Sequence, residues 1–299
     1  MNQSTTVHNG TSTANATLAQ TYWAPKLFGT RWSIAVFTLC FCGTFLNMSV
    51  IFVLVRQKYH RTGSGLLIIN LVVIYFLQSS IIYPLNAVLV LLKSLDYHTH
   101  PASCSVVNGL WLTLLYAGNF FECGLAVNRV VALLPANQYK RCSAVKFMIP
   151  LSMTLWLASL AFAVPMSFGI GGVYYPSLSG MCVTKWSTLQ VGTVIVTFSV
   201  YVPMGLIAIC CVTMIGYFTC FRRPLPPRQP TDKVTPTTRQ TDRARSYSKM
   251  LLISSVYCAA CEMPQSLVVV FYPEFYNLYW SGPILRLCFI LNPTVNTVG

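Results

Sequence analysis

The chain has 299 residues, 55% of them apolar and 9% charged, with a mean hydropathy of +0.59. A soluble domain of that length would carry about a quarter charged residues, so the composition argues against a water-soluble enzyme or binding module and for a membrane protein. The net charge of +14 would suit nucleic acid, but the basic residues fall in short links between apolar runs, so no nucleic-acid partner is expected.

Residues 1–31 are rich in Thr, Ser, Asn and Ala and are expected to form a disordered tail. Within it Asn2, Asn9 and Asn15 each open an Asn-x-Ser/Thr triplet, the acceptor pattern for N-glycosylation outside the cell. Residues 32–299 then hold seven apolar runs, at 32–55, 65–92, 104–134, 147–170, 188–220, 250–272 and 280–299, each long enough to cross a bilayer. The expected fold is an all-α, integral-membrane bundle of seven transmembrane helices. Alternate links carry most of the basic residues: Arg56, Lys58 and Arg61; Lys140, Arg141 and Lys146; and eight more within 221–249. The other side holds only Lys26, Arg31, Lys93 and Lys185. Positive charge stays inside, so the N-terminus is expected outside, with 221–249 a cytoplasmic linker beside anionic lipid.

The third run joins Cys104 at one face of the bilayer to Arg129 at the other. That separation rises about 37 Å as a helix, slightly more than a hydrocarbon core. It also amounts to nearly seven whole turns, so Cys104, Trp111, Gly118, Glu122 and Arg129 form one stripe. A stripe holding a carboxylate and a guanidinium should face protein rather than lipid.

Sorted by depth, the cysteines leave Cys104 and Cys182 on the oxidising side, where one disulfide is expected to tie the loop 171–187 across the bundle mouth. Pro84, Pro165, Pro203, Pro264 and Pro293 lie inside runs, where each removes a helical hydrogen bond and allows a kink.

These landmarks, in this order, resemble the rhodopsin-like (class A) G-protein-coupled receptors over essentially the whole chain. They include Gly43…Asn47, Asn70-Leu71, Cys104, Asn128-Arg129-Val130, Trp156, Cys182, Pro203, Cys261-Glu262-Met263-Pro264 and Asn292-Pro293-Thr294-Val295-Asn296. The resemblance implies a plasma-membrane receptor for an extracellular ligand of unidentified class, acting on a heterotrimeric G protein. Asn128, Arg129 and Val130 would meet that G protein. Asn47, Pro203, Glu262, Pro264, Asn292 and Pro293 would take part in the conformational switch.

Several positions depart from the family's pattern. Tyr75 stands where an aspartate usually binds sodium, Asn128 where an acid neighbours the arginine, Glu262 for an aromatic and Asn296 for a tyrosine. The seventh run has no lysine for a retinal Schiff base, and Trp111 replaces the aspartate that amine receptors carry. No cofactor is therefore expected, and no catalytic or metal-ligand motif marks an enzyme.

Glu262 and Arg286 are expected at similar depth, ion-paired at the floor of a ligand cavity that includes Trp111. The alternative is that each is satisfied separately by backbone, water or a proton. The chain ends at Gly299 without an eighth helix, so a truncated or non-signalling receptor-fold protein is the rival reading. A transporter or channel is a second rival, for which no repeated halves are visible.

Overall fold

The computed structural model describes residues 10–97 and 100–220, and between 253 and 295 all but 254–255, 259, 269–270, 273–274, 276–277 and 279. Asn2, Asn9, Asn296 and the linker 221–249 lie outside the described residues. Helix α1 spans Gly10–Arg56, so helix begins within the stretch read as a tail and includes the backbone of Asn15. Next come α2 (Gly63–Leu77), α3 (Tyr83–Ser94), α4 (Pro101–Val131), the short α5 (Ala136–Cys142) and α6 (Val145–Ser167). Strands β1 (Gly172–Pro176) and β2 (Cys182–Trp186) lead to α7 (Leu189–Val196) and α8 (Val202–Cys220). Helix α9 is helical at 256–258 and 260–268, and α10 is Ser281–Val295.

Five of the helical runs are long and apolar enough to cross a membrane, and Ser281–Asn292 is a shorter apolar helix. Large apolar side chains project outward, among them Phe41 at 75% and Leu157 at 63% exposure. Such a surface is unfavourable in water and suited to hydrocarbon.

The second and fifth runs each contain a wide π turn. Gln78–Ile82 joins α2 to α3, and Thr197–Tyr201 joins α7 to α8. Each turn ends two residues before a proline, Pro84 or Pro203. A proline cannot donate to the carbonyl four residues back, so the helical ladder must widen or break there.

Helix α4 runs through the centre: 72% of its apolar window is buried, against 17% for α1. It starts and stops about three residues earlier than hydropathy indicates. Pro101 is tolerated in a first turn, where its missing N–H has no helical partner, and Pro135 disfavours helix just before it.

The loop after α6 is an antiparallel hairpin, with Gly172 opposite Trp186 and Pro176 opposite Cys182. Cys104 and Cys182 are disulfide-bonded, with Cα atoms 5.3 Å apart, which pins β2 to the first turns of α4. Tyr174 donates its hydroxyl to the Ala163 carbonyl at 3.2 Å, and burial pushes its phenol above the usual range. At this end an ion pair between Lys26 and Asp96 also joins α1 to the residues after α3.

Candidate functional site

Beneath the hairpin lies a cavity with about 670 Å³ of atom-free space, counting its open mouth. Its floor and walls include Trp111, Tyr116, Val200 and Phe289, and β1–β2 lowers Tyr175, Thr184 and Trp186 over it. Arg286, from α10, also lines it and is only 1% exposed. The guanidinium carbon stands 3.5 Å from the Trp111 ring centroid, and Nη2 donates to the Cys182 carbonyl at 3.3 Å. Phe289 meets Trp111 edge-on, at 5.8 Å between centroids. The arginine is thus stacked on one aromatic and bonded to the backbone of the half-cystine, which fixes its direction.

Two neutral amides also reach this cavity. Asn108 donates to the Thr184 hydroxyl at 3.3 Å, but its own Oδ1 is buried with no hydrogen bond among the described residues. Gln265 lines the opposite wall, and its Oε1 is likewise buried and unbonded among them.

Below the cavity the bundle holds two carboxylates. Tyr75 donates its hydroxyl to Glu122, so the residue standing in for the usual aspartate bonds to an acid on the neighbouring helix. Glu262 accepts from Asn292 Nδ2 at 3.2 Å and from the Cys258 thiol at 3.5 Å. The expected ion pair between Glu262 and Arg286 is not formed. Glu262 bonds to Asn292, six residues beyond Arg286 on α10, which places it about 9 Å deeper along that helix. Counting back from the nearest proline put both groups at one depth, but consecutive spans run in opposite directions, so the count from Pro264 on α9 and the count from Pro293 on α10 lead to opposite sides of the two prolines. Glu262 consequently lies under the cavity and is absent from its described lining.

The prolines have partners across the bundle. Pro203 leaves the Ser199 carbonyl without a helical donor, and Asn119 Nδ2 supplies one at 3.2 Å. Pro293 does the same to the Phe289 carbonyl, and the Tyr83 hydroxyl reaches it at 3.3 Å. Asn47 is fully buried and donates to Gly43 on its own helix at 2.7 Å.

At the far end of α4, Arg129 is half-buried in the last turn. Asn128 is 4% exposed, and neither atom of its amide makes a hydrogen bond among the described residues. Its side chain instead lines an apolar groove with Phe120, Leu155 and Pro203. Val130 packs on the bundle core. Asn128 therefore provides no lock on its arginine neighbour. Among the described residues no group of three or more His, Cys, Asp or Glu could hold a metal ion.

Reasoning from sequence identified Trp111 and Arg286 but missed Asn108, Trp186 and Gln265. Asn108 is one helical turn inward from Cys104, and Trp186 is four residues after Cys182, so counting inward from each half-cystine would have found both. Tyr83 and Asn119 left no such signal, because their role depends on the register of one helix against another.

The family model described as "7 transmembrane receptor (rhodopsin family)" matches residues 46–296. A comparison with curated protein sequences gives no match. Among solved structures, the fold is similar to the crystal structure of squid rhodopsin, with a TM-score of 0.74 and 15% identity over 100% of this chain and 86% of that one. At that identity the likeness is one of fold, a seven-helix bundle.

Proposed function

The chain belongs to the rhodopsin family of seven-transmembrane receptors, and on that premise we propose that it binds an extracellular ligand and activates a heterotrimeric G protein. The observation that carries this reading is the layout of α4. One continuous helix has a hairpin-capped cavity at its Cys104 end and the half-buried Arg129 at its other end. The basic links at the Arg129 end support, by the positive-inside rule, a reading in which that face is cytoplasmic and the hairpin and cavity open on the extracellular side of the plasma membrane.

Ligand binding acts by favouring whichever arrangement of the bundle it fits more tightly. The proline sites on α8, α9 and α10 are the hinges about which the Arg129 end opens. Movement there alters the Asn119–Ser199 and Tyr83–Phe289 bonds, which join separate helices. A G-protein recruitment assay in cells tests the reading. Wild-type protein recruits an engineered Gα subunit, whereas Arg129→Ala reaches the surface equally and does not. Equal recruitment by both would refute the assignment of Arg129.

A further inference from the structure

We propose that the apolar groove beside Asn128 binds a membrane sterol, with the sterol's single hydroxyl on the Asn128 amide and its rings in the groove. The inference needs only the membrane fold and not the receptor reading. The groove lies between α4, α6 and α8 at the Arg129 end of the bundle, with about 880 Å³ of atom-free space counting its open side. Phe120, Val127, Leu155, Phe198 and Val202 are among its walls. Val127, Phe198 and Val202 are exposed, so the open side faces the hydrocarbon of the membrane. Asn128 is the polar exception. It is buried in this wall, yet neither Nδ2 nor Oδ1 makes a hydrogen bond among the described residues. A buried amide left in that state costs stability unless a partner meets it, and the groove is an open approach to it.

Charge narrows the head group. No charged side chain lines the groove among the described residues, so a phosphate or carboxylate would be buried there without a counter-charge. A hydroxyl is neutral and both donates and accepts, so it can meet either end of the amide. Depth and shape then describe the body. Asn128 is three residues before the last residue of α4, about 5 Å along the axis, and Phe120 is eight residues, or about 12 Å, deeper. The groove therefore starts near the membrane surface and stays within one leaflet of a core about 30 Å thick. A hydroxyl at the surface above an apolar body one leaflet long is the shape of a sterol. Rigid rings lose little freedom against Phe120, Val127 and Val202. A hydroxylated lipid with two chains would order many bonds and bring a second chain that has no groove.

The test uses the purified full chain in phosphatidylcholine nanodiscs, with a photoreactive cholesterol analogue as the probe and mass spectrometry of the labelled peptides. Labelling should saturate and fall on the groove segments of α4, α6 and α8. Cholesterol should displace the probe at about two- to tenfold lower content than its 3-deoxy analogue, the difference one hydrogen bond to a neutral group gives. Asn128→Leu should remove that difference. Val202→Trp, which fills the groove and leaves the amide in place, should abolish saturable labelling there. Ceramide and diacylglycerol, hydroxylated but two-chained, should compete no better than the 3-deoxy analogue. Labelling that is scattered or never saturates, a hydroxyl preference that survives Asn128→Leu, or ceramide or diacylglycerol competing as well as cholesterol would overturn the inference. If Asn128→Leu does not fold, Val202→Trp decides, because undiminished labelling of the groove in that variant overturns the site.

Discussion

Tyr83 and Phe289 are joined by a hydrogen bond from the tyrosine hydroxyl to the phenylalanine carbonyl at 3.3 Å, and that carbonyl is the one Pro293 deprives of a helical donor. The bond ties α3 to α10 at a kink. Tyr83→Phe should lower the free energy of unfolding by about 0.5–1.5 kcal/mol, since a buried carbonyl loses a side-chain donor. In a Pro293→Ala background the restored N–H supplies that donor, and the cost of Tyr83→Phe should shrink towards zero. Thermal denaturation of the four proteins measures the cycle, and equal costs in both backgrounds would mean the bond is unrelated to the proline.

Glu262 and Arg286 should behave as independent sites. Their single changes to Gln should add in the double variant to within about 0.5 kcal/mol, as expected for groups at different depths that form no ion pair with each other. Glu262→Gln should be mild, because a side-chain amide oxygen can still accept from Asn292. Reversing both charges should not rescue surface expression. An intact buried pair would behave otherwise: either single change would cost about 3–5 kcal/mol, and the double reversal would recover it.

That correction marks where the sequence stops being legible. Hydropathy locates the helical runs because the bilayer imposes length and apolarity on every one of them. Compartment alone pairs Cys104 with Cys182. Relative depth between helices is another matter, since π turns at Gln78–Ile82 and Thr197–Tyr201 and the proline kinks shift each register by amounts no single run encodes. Trp111 and Arg286 were therefore recognisable as inward-facing, but their stacking was not, and Glu262 was assigned a partner one level too high. The hairpin was legible only as a loop, because its strands become strands through pairing and the disulfide.

The disulfide should matter to the fold. Closing a loop across 78 residues, it contributes about 2–5 kcal/mol to stability in a chain-entropy picture. Cys104→Ser, Cys182→Ser and the double variant should lose the same amount of surface protein, because each removes one and the same bridge. Undiminished surface expression in any of the three would show that the hairpin is held by its other contacts.

Asn128→Asp places a carboxylate next in sequence to Arg129, where the amide makes no hydrogen bond among the described residues. Asn128 is buried and Arg129 half-buried, so the new carboxylate is desolvated unless it pairs with the guanidinium, and ligand-independent signalling should drop. Asn128→Leu, which removes a buried amide lacking hydrogen bonds, should raise thermal stability instead. Basal signalling that is unchanged in Asn128→Asp would rule out a missing lock as a source of basal activity.

Guanine-nucleotide exchange on a purified heterotrimeric G protein, catalysed by the receptor in nanodiscs, tests the transducer role most directly. Wild-type protein should accelerate exchange. Arg129→Ala should abolish the acceleration at equal receptor density in the nanodiscs. Exchange no faster than with empty nanodiscs, or a full rate from Arg129→Ala, would contradict a G-protein-coupling role centred on that arginine.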